Sequence, residues 1–173
     1  MISHLKSLPE VRITMVCMGN ICRSPMAAAV LANRTSEWKS PKIIVESSGT
    51  GAWHIGQGPH PTSKKVWESA GYSYRHTARQ FQSSDFHAFD LILVMDSSNF
   101  SNVIKLADST ESVNKVFYLR SFDASLSAID PASEQFYKLE VPDPYNQTIA
   151  AYEETLIMIE RAVDGLLQEL SNP

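Results

Sequence analysis

Short apolar runs alternate with longer amphipathic stretches along the 173 residues of this chain. Four of the runs predict β-strands, because they are short and rich in β-branched or large apolar side chains. They cover residues 11–16, 42–46, 90–95 and 115–119. The third run is almost wholly apolar, which is typical of a strand that is buried on both faces of a sheet.

Helical signals lie between the predicted strands. Ser24 followed by Pro25 predicts a helix start, because serine caps a first turn and proline suits its first position. The alanine-rich residues 26–32 continue that helix. Residues 62–70 and 97–107 also have helical character.

The end of the chain gives the clearest helical pattern. Its apolar residues recur every three or four positions and form one stripe: Ile149, Tyr152, Leu156, Ile159, Val163, Leu166 and Leu170. By contrast, residues 120–144 have no clear period, and a segment of this length without one suggests a functional loop.

Strands that alternate with helices predict a mostly parallel sheet covered on both faces. We therefore expect an α/β fold in one domain, residues 1–173, with three α/β/α layers around a central twisted sheet. In such sheets the ligand crevice lies beyond the carboxyl ends of the strands, and Cys17 follows the first strand directly. We expect residues 1–10 to form a flexible N-terminal extension.

Composition narrows the class of protein. A net charge of −4 argues against nucleic acid as a partner, because the phosphate backbone attracts an excess of lysine and arginine. The longest apolar run is far below the ~20 residues that span a bilayer, so we expect no membrane insertion. Residues 1–10 lack the apolar core of a signal peptide, and two cysteines are too few for a secreted disulfide scaffold. We expect a cytoplasmic protein, with export by a non-standard route left open.

The segment CMGNICRS, residues 17–24, joins the first strand to the first helix. Its amide groups can converge on one anion where the chain curls at Gly19, and the helix behind it adds the positive end of its dipole. Arg23 offers a planar pair of donors that fits two phosphate oxygens. The segment therefore predicts a phosphate-binding loop, which comprises Met18, Gly19, Asn20, Ile21, Cys22, Arg23 and Ser24.

The positive charge of Arg23 and the positive end of the helix dipole also act on the thiol of Cys17. A thiol beside an arginine at a helix N-terminus has a lowered pKa, and its thiolate is a nucleophile that needs no histidine base. Ser24 can donate a hydrogen bond to that sulfur. Attack in line on a bound phosphate would give a thiophosphate. Each residue alone has a commoner explanation as a buried or solvated side chain, but the Cys-x5-Arg-Ser spacing favours phosphate chemistry.

The segment VCMGNICRSP, residues 16–25, is similar to the signature of the low-molecular-weight protein tyrosine phosphatases. The similarity continues in the family's order over residues 11–170, with Ser47, Trp53, HTARQ at 76–80, MDSSN at 95–99 and DPY at 143–145. The resemblance implies hydrolysis of protein phosphotyrosine and small aryl phosphates in two metal-free steps. Its expected partners are phosphotyrosine-containing proteins, with inorganic phosphate as product.

The resemblance also implies that Asp143 is the general acid, which protonates the leaving phenolate and then activates water as a base. Pro142 and Pro144 restrict the backbone on either side of it. A phosphate dianion facing this carboxyl raises its pKa, so that it can be protonated at mildly acidic pH.

Further roles follow from the same resemblance. Trp53 and Tyr145 match the aromatic walls of the substrate pocket. Asn146 stands where many relatives have a second tyrosine, which puts regulation by phosphorylation there in doubt and changes the pocket rim. The residues that match the family's support of the phosphate loop are Asn20, Ser24, Ser47 and His76.

No metal or cofactor is expected. The five histidines have no metal-ligand spacing, and transfer through a thiolate needs no metal: His4, His54, His60, His76 and His87. Cys22 is a candidate redox partner, since it could trap an oxidised Cys17 as a disulfide. We expect a monomer or a weak dimer.

Three alternatives stay open. Arsenate reduction uses a similar loop but generally passes oxidation to a further cysteine, and this chain has none beyond Cys22. Protein-arginine phosphatases of this family favour a smaller or polar residue at the Ile21 position. A non-catalytic phosphate-binding or thiol-sensor protein would not need Asp143 beside Cys17 and Arg23.

Overall fold

Four parallel strands form the centre of the structure, a computed structural model that describes residues 1–171. Their order across the sheet is β2-β1-β3-β4, and each neighbouring pair is parallel. The bounds are β1 Glu10–Cys17, β2 Lys42–Gly49, β3 Leu91–Val94 and β4 Val116–Tyr118. Because all four strands point the same way, the loops that follow them meet at one edge of the sheet.

Helices cover both faces of this sheet. They are α1 Arg23–Arg34, α2 Pro61–Ser69, α3 Asp85–Ala88, α4 Ser97–Ile104, α5 Thr110–Val113 and α6 Ile149–Leu170. One core lies between the sheet and α1, α2 and α6, and a second, smaller core lies under α3 and α4. The predicted three-layer α/β architecture is confirmed. Among residues 1–171, none of the helices is long and apolar enough to span a bilayer.

The strand register places the predicted nucleophile at the crevice. Cys17 is the last residue of β1 and pairs with Gly49 at the end of β2, while Val16 pairs with Val94 at the end of β3. Cys17 is buried, with 3% of its surface exposed. Strand β1 therefore places the sulfur of Cys17 at the carboxyl edge of the sheet, between the ends of β2 and β3.

The start of α1 differs from the prediction. The helix begins at Arg23, its N-cap is Cys22, and no side chain caps it. Ser24 lies inside the first turn and its hydroxyl contacts Cys17 instead of capping the helix. Pro25 is still tolerated, because the first turn of a helix has no intrahelical partner for its backbone N–H.

Other helices and strands also differ from their predicted bounds. Strand β2 runs to Gly49, three residues beyond the predicted end at residue 46, because these residues pair with β1 and are buried. The short helices α3 and α5 were not predicted, since four residues are too few to show a period. The aperiodic segment 120–144 contains only 3-10 turns, at Leu119–Phe122, Ala124–Leu126 and Phe136–Leu139.

The long C-terminal helix follows its predicted bounds. Six of the seven residues in its apolar stripe are buried, and only Ile149, at the first position, is exposed. The stripe packs against α1, α2 and the turn at Leu119–Phe122. This packing fixes the end of the 120–144 segment relative to the sheet.

The first ten residues are not a flexible extension, so that prediction was wrong. Ser3–Ser7 form a 3-10 helix, and Ile2 and Leu5 join the main core with 1% and 5% of their surfaces exposed. Residues three apart lie on the same face of a 3-10 helix, which brings both side chains inward. The terminal amine of Met1 also lies 3.2 Å from a carboxylate oxygen of Glu169 in α6.

We expect Ile2→Ala to lower the free energy of unfolding by about 2 to 4 kcal/mol, because it opens a cavity at a fully buried site. Urea denaturation measures the change. His4→Ala, at an exposed position in the same 3-10 helix, is the control and should leave stability within about 0.5 kcal/mol of wild type. Equal, small effects in both variants would contradict the packed N-terminus.

Candidate active site

The loop from residue 18 to residue 22 curls back over the sulfur of Cys17. Asn20 takes a φ of 57°, in the left-handed region that asparagine tolerates better than most residues. This conformation points its backbone N–H at Cys17 Sγ, 3.3 Å away. The loop also lies directly against the end of β2, where a Cβ on Gly49 would come within 2.7 Å of the Met18 carbonyl oxygen.

The side-chain amide of Asn20 organises the hydroxyl groups beneath the loop. Its nitrogen donates to Ser24 Oγ at 2.8 Å and to Ser47 Oγ at 3.0 Å. Its oxygen accepts from the backbone N–H of Arg79, which fixes the orientation of the amide. Ser24 Oγ accepts from Asn20 and lies 3.0 Å from Cys17 Sγ and 3.5 Å from the Ser48 carbonyl oxygen, and an ionised sulfur is the stronger acceptor for its one proton. The sulfur therefore faces two donors, one from the backbone and one from a hydroxyl.

His76 supports this network from behind. Its Nε2 donates to the backbone oxygen of Asn20 at 2.6 Å, so Nδ1 is the nitrogen left to accept from Ser47 Oγ at 3.4 Å. Burial lowers the pKa of His76 below its ordinary value, although the bond to the Asn20 carbonyl opposes this shift. The ring is consequently neutral at pH 7 with its proton on Nε2.

Arg23 is almost fully buried, with 1% of its surface exposed. Its Nη1 donates to Asp96 Oδ2 at 2.7 Å and to the carbonyl oxygen of Val141 at 2.9 Å, which uses both Nη1 hydrogens. Burial lowers the pKa of this guanidinium, but the nearby charges of Cys17, Asp96 and Asp143 outweigh burial and hold its pKa above the ordinary value. The Nη2 and Nε donors are left to face an anion in the loop.

Asp96 was not singled out from the sequence as a site residue. It is the N-cap of α4, where its side chain accepts from the backbone of Asn99 while the Asn99 side chain accepts from the backbone of Asp96. One carboxylate thus starts a helix and pairs with Arg23. An acidic residue directly after a buried strand, with asparagine three positions later, is the sequence signal that could have indicated it.

Asp143 lies near the second terminal nitrogen of the Arg23 guanidinium, Nη2. Its Oδ2 is 3.6 Å from Arg23 Nη2, and 42% of its side chain is exposed. Its Oδ1 accepts from the backbone N–H of Tyr145, which turns the chain back toward α6. Asn146 follows with a φ of 61°, so this position needs a residue that tolerates the left-handed region.

A cavity of about 230 Å³ opens above the loop. Its lining brings together the predicted nucleophile, arginine, acid and pocket walls: Cys17, Met18, Gly19, Ile21, Cys22, Arg23, Trp53, His54, Asp143 and Tyr145. The other four predicted residues do not line the cavity: Asn20, whose side chain points beneath the loop, and its partners Ser24, Ser47 and His76. The sequence did not single out His54 as part of the pocket.

The two aromatic side chains stand at the rim. Trp53 is 70% exposed, and its ring lies over Gly51, where a Cβ would come within 1.9 Å of it. Tyr145 is 46% exposed and meets the ring of His60 edge to face at 5.8 Å. Each aromatic thus has a neighbour in the protein and leaves about half or more of its surface exposed.

Cys22 differs from Cys17 in its surroundings. Both thiols are free, and Cys22 Sγ lies 3.7 Å from the hydroxyl of Tyr152. Burial raises the pKa of Cys22 to about 12, so it is a neutral thiol at pH 7. Its capture of an oxidised Cys17 stays a prediction, and it requires loss of the Cys22 proton, because the thiolate is the attacking species.

Comparison with known proteins shows the family of this chain. Residues 12–173 match the model of the family described as low molecular weight phosphotyrosine protein phosphatase. The chain belongs to this family. The phosphatase is 40% identical over 157 residues to a low molecular weight protein-tyrosine-phosphatase of Streptomyces coelicolor, a match that covers 90% of this chain and 91% of that relative.

Solved structures give the same result. A protein tyrosine phosphatase from Entamoeba histolytica is 31% identical, with a TM-score of 0.80 and coverage of 92% of this chain and 96% of the other. An arginine phosphatase from Geobacillus stearothermophilus is 27% identical, with a TM-score of 0.75 and coverage of 92% of each chain. The predicted family is confirmed.

Because His76 is held neutral, we expect its contribution to stability to depend on pH. Its pKa is lowered on folding, so this contribution is complete above the unfolded value of about 6.5 and is lost as the pH falls through the folded value. Denaturation from pH 8 to pH 5 should show wild type more stable than His76→Gln above pH 7, with a gap that narrows on acidification. A gap that widens toward pH 5 would contradict the neutral ring, and His4→Gln, in an exposed residue, is the control.

Proposed function

We propose that this phosphatase hydrolyses phosphotyrosine in proteins through a thiophosphate formed on Cys17. One observation carries the proposal: Cys17 Sγ receives the Asn20 N–H and the Ser24 hydroxyl directly beneath a loop that ends in Arg23. Two donors and an adjacent buried cation stabilise a thiolate. No histidine base is needed for such a nucleophile.

In the first step, the Nη2 and Nε donors of Arg23 and the loop amides bind the phosphoryl oxygens. These donors are fixed before the substrate arrives, so they stabilise the charge of the transition state without reorganisation. The Cys17 sulfur forms a bond to phosphorus as the bond from phosphorus to the tyrosine oxygen breaks. Asp143 gives its proton to that oxygen, and the tyrosine side chain leaves neutral.

In the second step, the roles of acid and base reverse. Asp143, now ionised, takes a proton from a water molecule that attacks phosphorus. The bond from phosphorus to sulfur breaks, and the Ser24 hydroxyl stabilises the departing thiolate. Inorganic phosphate is the product. The 3.6 Å separation of Asp143 and Arg23 supports this assignment, since it holds the carboxyl next to the guanidinium that would bind the phosphoryl group.

The pocket favours an aryl ester over other phosphoesters. Trp53 and Tyr145 both line the cavity and are largely exposed, so a phenyl ring can bury area against them. Ile21 lines the cavity with an apolar side chain. A guanidino group would leave its N–H donors without partners against these walls, and the short side chain of phosphoserine has no ring to bury there.

Phosphoproteins are the substrate class that this family implies. The alternatives are less well supported: arsenate reduction lacks a further cysteine, and a pure binding module has no use for Asp143. Similarity to an arginine phosphatase keeps phosphoarginine as the competitor to exclude by experiment. A cytoplasmic location, the absence of nucleic-acid partners and a monomeric or weakly dimeric state stay predictions.

A panel of phosphotyrosine, phosphoserine and phosphoarginine peptides tests the proposed function. We expect release of phosphate from the first alone, and a loss of at least about 1,000-fold in kcat for Cys17→Ser, because the nucleophile is removed. The variant should keep affinity for inorganic phosphate, measured by calorimetry, since Arg23 and the loop amides are intact. Turnover of phosphoarginine as the preferred peptide would reverse the assignment of substrate.

The general acid is tested by the leaving group. We expect Asp143→Ala to lower kcat/KM about 100-fold for phenyl phosphate, whose phenolate leaves poorly, and far less for 4-nitrophenyl phosphate. Asp130→Ala is the matched control, because Asp130 also precedes a proline but lies in an exposed turn outside the cavity. If phenyl phosphate reacted as fast with Asp143→Ala as with wild type, the acid would have to be another group.

A further inference from the structure

The segment that carries Asp143 has no helix or strand of its own. Residues 140–148 join the 3-10 turn at Phe136–Leu139 to α6, so hydrogen bonds and prolines must fix the carboxyl near Arg23. The position of this carboxyl matters for the reaction through the proposed role of Asp143 as general acid, on which the inference rests.

Glu140 anchors the start of this segment to α4. Its Oε2 accepts from the backbone N–H of Ser97 at 2.8 Å and from Ser97 Oγ at 2.9 Å. Ser97 is the first residue of α4, so the carboxylate also meets the positive end of the helix dipole. Hydrogen bonds to an ionised acceptor are roughly twice as strong as neutral ones.

The next residue ties this anchor to the active site. The Val141 N–H donates to the carbonyl oxygen of Met95 at 2.7 Å, and the Val141 carbonyl accepts from Arg23 Nη1 at 2.9 Å. The guanidinium is therefore bonded to the backbone two residues before Asp143. Pro142 lies between Val141 and Asp143, and its ring restricts the backbone conformation that links these two residues.

A simpler role for Glu140 would be to start α4, but other residues form the cap of that helix. Asp96 caps the helix through the backbone N–H of Asn99, and Asn99 completes the box by bonding back to Asp96. The capping box is complete without Glu140, although Glu140 is the acceptor for the first N–H of the helix, that of Ser97. The two bonds from Ser97 therefore also tie the segment before Asp143 to the start of α4.

We propose that Glu140 is a positioning residue for the reaction: its carboxylate, held by Ser97, keeps Asp143 within reach of the leaving-group oxygen. Removing this anchor loosens the backbone before Pro142, which then depends on the two bonds of Val141 and on the bond from Arg120 Nη1 to the Glu140 carbonyl, while the phosphate loop stays intact. The acid then protonates the leaving oxygen less often, although phosphate still binds.

Glu140→Ala and Glu140→Gln separate positioning from general damage. We expect kcat/KM for phenyl phosphate to fall on the order of 10-fold in Glu140→Ala, while that for 4-nitrophenyl phosphate changes less than about 2-fold. Glu140→Gln keeps an acceptor for Ser97 and should recover activity to within about 3-fold of wild type. Inhibition by inorganic phosphate should be unchanged in both variants.

Three further variants complete the design. Glu134→Ala removes an exposed carboxylate six residues before Glu140 and should behave as wild type. Ser97→Ala removes only the hydroxyl donor and should give the same selective loss in a milder form, even if Glu140→Ala fails to fold. In Asp143→Ala, adding Glu140→Ala should cause no further loss, because the positioned group is already absent.

The outcomes distinguish the two proposals. If Asp143→Ala slows phenyl phosphate selectively but Glu140→Ala and Ser97→Ala do not, the positioning role is overturned and the acid assignment survives. Equal losses for both substrates, or weaker inhibition by phosphate, would also overturn it. If Asp143→Ala shows no dependence on the leaving group, the acid assignment fails and the role of Glu140 fails with it.

Discussion

The buried charge of Arg23 is the constraint on which the arrangement of the site depends. A guanidinium with 1% of its surface exposed must be paired and hydrogen-bonded, since an unpaired charge in the interior costs several kcal/mol. Asp96 supplies the opposite charge from the start of α4, and Val141 supplies a carbonyl from the segment before α6. Three parts of the chain that are distant in sequence therefore have to meet at one side chain.

The loop around Cys17 is stabilised in a second way. It forms no regular backbone ladder, so the Asn20 side chain takes over that function through bonds to Ser24, Ser47 and the Arg79 backbone. The left-handed conformation of Asn20 is the cost of bending the chain over the sulfur. His76 offsets this cost by accepting from Ser47 and donating to the Asn20 carbonyl.

Much of the fold could be predicted because its signals are local. Each strand and long helix has its own period or apolar run, and the Cys-x5-Arg-Ser spacing lies within eight consecutive residues. One partner of Arg23 could not be found in this way, because Val141 acts through a backbone carbonyl that leaves no trace in the sequence. The docking of Ile2 and Leu5 was missed for a related reason: two apolar residues in a 3-10 turn are too few to form a pattern.

Gly49 has a consequence for how the curvature of the loop is set. Because its only substituent is hydrogen, the Met18 carbonyl and the Asn20 amide nitrogen rest on the main chain of β2, with no side chain between them. The phosphate loop is thus in direct contact with the sheet, and its shape depends on how β1 and β2 twist relative to each other. A change in the pairing of these two strands would therefore distort the phosphate loop directly.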